Sequence, residues 1–246
     1  MARYRTELDH FDWYDIDATT SDSGRVYHTP DGDAPSVTTI LSSKPNPELD
    51  AWRERIGEEE AKRITDEACT IGTHMHDRLE CLLKGDEYPN SGDEYEGMAA
   101  QMARVIQLFG WKRMNAVWAA EIPLHYKDLY AGRTDLLGLY DNKPAIMDYK
   151  TSKFMKAPKY LDKYRMQLAA YSIACEAMFG QKFEYGVNFF AMRPNPEYKK
   201  PAESQISIIG PDEMITFKLK WIDLLTDYYH YNTNKLDMVE SLLEFV

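Results

Sequence analysis

Asp135, Asp148 and Lys150 flank the tripeptide Asp141-Asn142-Lys143, a plausible turn. If residues 129–140 and 144–149 are adjacent antiparallel strands joined there, the two aspartates come close to facing one another. Counted from residue 142, Asp135 lies seven positions back and Asp148 six forward. Two carboxylates converging at a sheet edge offer hard oxygen ligands, which suit Mg²⁺ or Mn²⁺. Strand side chains alternate, so Lys150 shares a face with Asp148. An ammonium in that place can orient or deprotonate an attacking water, or stabilise charge on a phosphorane. Taken alone, Asp-x-Lys occurs by chance in many proteins, and an ordinary hairpin with solvent-facing charges would show it too.

The elements that must position these groups follow from periodicity and turn chemistry. Residues 1–35 are polar, aromatic and turn-rich, and residues 25–28 can pair as a hairpin across Asp31-Gly32. Ser36 is expected to cap a short helix through Leu41, closed by Pro45 and Pro47. Residues 48–84 have helical spacing with a break near Gly57, and Ile71, Met75, Leu79, Leu82 and Leu83 make an apolar stripe. A loop at 85–92 precedes a second helix over about 94–114, with Met98, Met102, Val105, Ile106 and Phe109 inward. Strands are expected at 116–126, 129–140 and 144–149. A helix at 158–179 follows, burying Leu161, Leu168, Tyr171, Ile173 and Cys175. A strand at 183–192, an edge strand at 204–209, a helix at 211–231 and a last turn or two at 237–245 complete the chain. Helices, a three-strand meander, a crossover helix and a further strand make an α/β fold whose mixed sheet carries helices on its faces.

Composition bounds the possibilities. The chain has 246 residues, enough for one enlarged α/β domain or one domain with an appendage. Its 44% hydrophobic and 28% charged residues are those of a globular chain, not a disordered one. No apolar run approaches the ~20 residues of a membrane-spanning helix, and the N-terminus has no apolar export core, so the cytoplasm is the expected compartment. Cys69, Cys81 and Cys175 are too few and too scattered for a disulfide framework or a four-cysteine zinc or iron–sulfur site. They are expected to be reduced core residues. A net charge of −11 argues against nucleic acid, whose binding uses Lys and Arg to neutralise phosphates. Yet residues 143–165 hold seven basic residues against Asp148 and Asp162, a local charge of +5. Such a block is either a solvated face or a phosphate-binding one. Lys156 and Lys159, with Phe154, Tyr160 and Tyr164 interleaved, suit a single strand that presents both phosphates and stackable bases.

Gly132-Arg133-Thr134-Asp135, then Asp148-Tyr149-Lys150, then Gln167-x-x-x-Tyr171, with Gly72-x-x-x-His76 upstream, resembles the RecB-like branch of the PD-(D/E)XK nucleases. The stretches Pro35-Ser36-Val37-Thr38-Thr39-Ile40-Leu41 and Asp148-Tyr149-Lys150-Thr151-Ser152-Lys153 are similar to the mitochondrial genome maintenance exonuclease group and related phage-type exonucleases. The resemblance implies a restriction-endonuclease-like mixed central sheet with an αβββαβ core, flanked by helices and preceded by extra N-terminal helices. It places an appendage at 1–50 and a nuclease domain at 51–246, with a helical insertion at about 51–115.

The resemblance also implies roles. Asp135, Asp148 and the Tyr149 carbonyl would ligate Mg²⁺ or Mn²⁺, with His76 reaching in from the helical side. Glu121 would join them as a supporting or second-metal group, or stand as a mere strand-end charge. Lys150 would act on the attacking water. Gln167 and Tyr171, at i and i+4 on one helix face, would hold the catalytic strand or touch DNA. His74 misses the Gly-x-x-x-His spacing. Thr151, Ser152 and Lys153 would bond phosphate, and Lys156, Lys159 and Tyr164 would contact DNA. The expected activity is a metal-dependent DNA exonuclease on single-stranded or end-containing DNA, serving replication, repair or recombination in a bacterial or phage-infected cell. A non-cleaving recombination accessory protein and a structure-specific endonuclease are the alternatives, and the iron–sulfur subgroup is excluded for want of cysteines.

Overall fold

The computed structural model describes residues 4–89, 92–195 and 197–246. In chain order its elements are β1 (Arg5–Thr6), β2 (Ala18–Ser21), β3 (Gly24–Thr29), β4 (Gly32–Pro35), α1 (Val37–Leu41), α2 (Pro47–Ile56), α3 (Glu58–Lys84) and α4 (Glu96–Val105). There follow β5 (Met114–Tyr126), β6 (Tyr130–Tyr140), β7 (Lys143–Ser152), α5 (Asp162–Phe179), β8 (Tyr185–Met192), β9 (Glu203–Ile209), α6 (Pro211–Tyr228) and α7 (Thr233–Ser241). A six-stranded mixed sheet runs in the order β1-β5-β6-β7-β8-β9, and β2-β3-β4 form a small antiparallel sheet. Within the large sheet β1 is parallel to β5 and β7 to β8, and the other pairs are antiparallel. Parallel β7 and β8 need a long crossover between them, and α5 is that crossover.

Helices cover both faces of the sheet, so its central strands must be apolar on two sides. Ile146 packs in one core with Leu168 and Ile173 of α5, Trp221 of α6 and Val37 and Ile40 of α1. Its neighbours Ala145, Met147 and Tyr149 enter a second core with Ile71, Met75 and Leu79 of α3 and Met102 of α4. The alternation along β7 therefore splits one short segment between two cores and locks its register, because a slip of one residue would exchange the faces. Local chemistry sets the helix ends. Ser36 Oγ accepts from the Thr39 amide at 2.9 Å to start α1, and Asn46 caps α2 with Pro47 at its first position. Gly57, at φ +85°, separates α2 from α3.

Several expectations need correction. The N-terminal hairpin is a three-stranded sheet, because β2 pairs with the far edge of β3. Leu82 is 40% exposed rather than part of the α3 stripe. It is turned about 100° from Leu83, off the buried line of Ile71, Met75, Leu79 and Leu83. The second helix stops being α-helical at Val105, continuing as a π turn (Ile106–Gly110) and a 3₁₀ turn (Trp111–Arg113). A Cβ on Gly110 would come within 2.8 Å of Phe189, so the backbone lies against that ring. The wider turn carries Phe109 outward to 56% exposure and brings Trp111 in. Cys175 is buried as expected, whereas Cys81 is half-buried and Cys69 exposed. The final helix begins earlier than expected, at Thr233, where Asn232 caps the Lys235 amide. Residues 90 and 91 of the expected 85–92 loop lie outside the described residues. No helix among the described residues is long and apolar enough to cross a membrane.

Two glycines of opposite circumstance test this packing. Gly138 lies where β5 shifts register against β6, and a Cβ there would sit 2.1 Å from the Ala116 carbonyl oxygen. Gly138→Ala is expected to lower the stability read from urea denaturation by about 1–3 kcal/mol or more. Gly97 is exposed in α4 with nothing within 4 Å of a Cβ, so Gly97→Ala should raise stability by about 0.5–1 kcal/mol. Unchanged or raised stability in Gly138→Ala would contradict the strand register there.

Candidate active site

The turn joining β6 to β7 has Asp141 and Asn142 at φ +51° and +60°, the twist that a tight two-residue hairpin requires. It pairs Tyr140 with Lys143 and continues inward to Leu136 with Met147, the last partners of that ladder. The next residues in the same register are Asp135 and Asp148. On its other side β6 pairs with β5 through Leu136 with Ala120 and Thr134 with Ile122, which brackets Asp135 opposite Glu121. On the far side of β7, Asp148 is the partner of Asn188 in β8. One level of the sheet thus runs Glu121, Asp135, Asp148, Asn188, a polar row across an otherwise apolar layer.

Glu121 adopts φ +53° inside a strand, a costly left-handed conformation for a residue with a side chain. Arg133 holds it there: its guanidinium donates to the Glu121 carbonyl and, at 2.5 Å, to the Asp15 carboxylate. Above this break stands His76 of α3. Its Nδ1 is 3.6 Å from Glu121 Oε1 and 3.5 Å from Asp135 Oδ1. One ligand atom from each of the three residues lies within 4.8 Å of the others, so they could hold a metal ion. Carboxylates suit Mg²⁺ and Mn²⁺ and an imidazole suits transition ions, so the donor set fits a small divalent cation, and Mn²⁺ satisfies both ligand types. Burial would push the His76 imidazole down, but Asp135 and Glu121 outweigh it and hold the ring at about 10. Without a cation the imidazolium is therefore the counter-charge of the two carboxylates. A cleft of about 320 Å³, bordered by Trp13, Glu80 and Arg133, opens onto His76 and Glu121.

Asp148 stands beside this cluster rather than in it. Its side chain is 1% exposed, and Lys150 Nζ contacts both carboxylate oxygens, at 2.7 and 2.6 Å. The Asn188 amide lies 3.4 Å from Oδ2. Burial, opposed by Lys150 and reinforced by Asp135, raises the Asp148 carboxyl to about 6. Burial acts the other way on Lys150, and the charges of Asp148 and Asp135 overcome it and hold the ammonium protonated. The Tyr149 amide donates to Asp135 Oδ2, which brings that peptide to the cluster. Its ring is wedged edge-on below His76 and takes a 2.9 Å bond from Trp111 Nε1.

Gln167 and Tyr171 are both buried, with Gln167 Nε2 3.3 Å from the Tyr171 hydroxyl. A Cβ on Gly132 would meet the Tyr171 ring at 2.6 Å, so these two residues face the β6 backbone rather than solvent. Gly72 has no such constraint, since Thr151 Oγ1, at 3.9 Å, is the nearest neighbour of a Cβ there. His74 is engaged elsewhere, with Tyr88 at 2.6 Å and Asp93 at 3.4 Å. Ser152 is consumed within its own loop, bonded to Phe154, and Lys153 lies 5.7 Å over the Phe154 ring. Thr151 is half-buried in β7, while Lys156, Lys159 and Tyr164 line one groove. Sequence reasoning missed the Arg133 clamp, the Trp111 bond and Asn188. Only Asn188 had a legible signal, a lone amide inside the apolar run Val187 to Met192.

No protein-family model matches the chain, and no curated protein matches it. Among solved structures the chain is similar to SSO0001, at 18% identity over 78% of this chain and 76% of that one, with a TM-score of 0.38. It is also similar to a candidate exonuclease from Eubacterium rectale, at 16% identity over 73% of this chain and 69% of that one, with a TM-score of 0.45. The functional reading rests on the site itself.

The His76 cluster makes a direct prediction. Calorimetric titration of Mn²⁺ into the parent chain should give saturable binding, weakened more than about tenfold in His76→Ala. His74→Ala, whose ring is tied to Tyr88 and Asp93, should bind as the parent does. Equal affinity in His76→Ala and the parent would place the cation elsewhere.

Proposed function

We propose that this chain is a metal-dependent DNA nuclease of the RecB-like PD-(D/E)XK kind, an exonuclease acting on single-stranded or end-containing DNA. The observation that carries the reading is the Lys150–Asp148 pair, with Asp148 on the same level of the sheet as Glu121 and Asp135 of the His76 cluster. A protein interior rarely keeps five ionisable groups together without a chemical use for them. The mixed sheet, with α3 before the meander and α5 as crossover, is the frame that an αβββαβ nuclease core would need.

His76, Glu121 and Asp135 would hold Mg²⁺ or Mn²⁺. A bound cation there supplies a Lewis acid for phosphoryl oxygens and lowers the pKa of water. Lys150, kept protonated by Asp148, offers a fixed positive charge and N–H donors to the negative charge that gathers on the scissile phosphate. That state favours its roles in orienting water and stabilising the transition state over a role as base. Asp148 fixes the ammonium in place, and Asn188 fixes Asp148. Tyr171, pressed on Gly132, and Gln167 brace the strand that carries Asp135.

The test is cleavage of end-labelled linear and closed circular single-stranded DNA, each with Mg²⁺ or with EDTA. Loss of the linear substrate only, and only with Mg²⁺, is expected. Cutting of the circle would make the protein an endonuclease, and binding without any cleavage would make it an accessory protein. Lys150→Ala should lower the rate by about 10²–10³, and Asp148→Asn, which leaves the ammonium unfixed, should lower it by no more than that while single-strand binding persists. Thermal melts of both variants would separate loss of chemistry from loss of fold. Full activity in either would put the reaction at another site.

A further inference from the structure

The loop leaving the catalytic strand is pinned at both ends while its tip presents apolar groups to water. Ser152 Oγ donates to the Phe154 carbonyl at 2.6 Å and lies 3.3 Å from the Phe154 amide. Gln205 of β9 fixes Lys156 twice, accepting from its amide at 2.8 Å and donating to its carbonyl at 2.9 Å. Between these clamps Phe154 is 69% exposed and Met155 61%. Two adjacent large apolar side chains, held out by a loop with this many fixed bonds, are not the surface of a slack connection.

Past the second clamp the chain forms one wall of an open groove of about 690 Å³, within the size range of a ligand site. Lys156, Lys159, Tyr160 and Lys163 line that wall, and Lys44 and Lys220 stand in the lining with them. Lys44 and Lys220 are neutralised by Asp227 at 2.5 Å and Asp162 at 2.6 Å. Among the described residues, Lys156, Lys159 and Lys163 have no carboxylate in ion-pair contact. Lys159 also lies 4.6 Å over the Tyr160 ring, pairing a cation with an exposed aromatic face. Tyr164 lines the same groove and packs edge-on against Phe190 at 5.0 Å. Phe190 is the β8 partner of Lys150, so Tyr164 packs between the groove and the strands that carry the site.

We propose that the groove and its pinned rim form a site for a single-stranded polynucleotide arm. Lys156, Lys159 and Lys163 would bind successive phosphates, and Phe154 would stack an unpaired base. The chemistry is that of single-strand platforms, where unpaired cations follow the backbone and aromatic rings take bases of any identity. A paired duplex hides its base faces, so the rim selects single strands. The proposal rests on the nuclease reading for the direction of the strand toward Lys150, but the binding it predicts needs no hydrolysis.

Fluorescence anisotropy of a labelled oligothymidylate about 15 nucleotides long, in EDTA and across a salt series, tests it against a hairpin duplex of matching charge. The parent chain should bind the single strand more tightly. Phe154→Ala should weaken that binding about 5- to 150-fold with the salt slope unchanged. The double variant Lys159→Ala, Lys163→Ala should lower the slope of log K against log salt by about 1.4, or about 0.7 per phosphate contact. All three side chains are exposed, so the fold should survive, and a melting curve for each variant would show it. Equal affinity for the two DNA forms, no binding by the parent, or variants that bind as the parent does would each overturn the proposal. Binding that follows this pattern without cleavage would sink the nuclease reading and leave the groove standing. Cleavage with unaltered binding in the variants would do the reverse.

Discussion

Asp148 is a carboxylate carried into the middle of a two-sided sheet, and Lys150 is the one cation in contact with it among the described residues. Water cannot solvate such a group, so its charge depends on an ammonium supplied two residues along the same strand. Removing one partner of a buried pair leaves the other uncompensated, at a cost of about 3–5 kcal/mol. The pair stabilises the fold only weakly as a pair, yet neither half can be spared. Because strand geometry puts residues two apart on one face, the register of β7 delivers this contact without help from any loop. The other polar groups of the site are arranged around that pair.

The second face completes the site. Alternation sends Tyr149 to the α3 side, where its ring is held between Trp111 and His76, while its amide reaches Asp135. The strand that fixes Lys150 against α5 thereby also fixes the floor under His76. The same rule explains why Glu121 must leave ordinary strand conformation. With ordinary strand dihedrals the side chain opposite Asp135 would follow the pleat, whereas a left-handed backbone, clamped by Arg133, re-aims the carboxylate toward His76 without shifting the register of β5 on β6. The strain is local, and the cores above and below the sheet hold it in place.

These features differ in how far the sequence reveals them. The opposition of Asp135 and Asp148 was legible because Asp141-Asn142 fixes a turn centre and a hairpin ladder only needs counting from it. The Ser36 cap and the Gly57 break were legible for similar reasons, since each is dictated within a few residues. Glu121 in a left-handed conformation was not, because the Arg133 guanidinium that holds its carbonyl comes from the neighbouring strand, and β5 does not encode it alone. Phe109 was placed inward because a 3.6-residue period was extended through a π turn, whose wider winding is imposed by Gly110 lying on Phe189. Asn188 is bonded to a residue 40 positions away, a contact that no local pattern contains.

The overall charge of −11 points away from nucleic acid, and its layout gives the proposed groove a local excess of the opposite sign. Asp135 and Glu121 converge beside His76, where a cation would neutralise them, whereas Lys156, Lys159 and Lys163 gather past the end of β7. For a polyanion the proposed groove would be an attractive surface on a chain that is acidic as a whole, so long-range forces would favour approach there before any contact forms. Screening over about 8–10 Å at physiological salt keeps the two regions from cancelling one another. Net charge therefore describes this chain poorly as a ligand-binding object. What matters is that β7 runs from an acidic row at Asp148 into a basic loop, so that one strand joins the group that could act on a phosphate to the groups that could hold its neighbours.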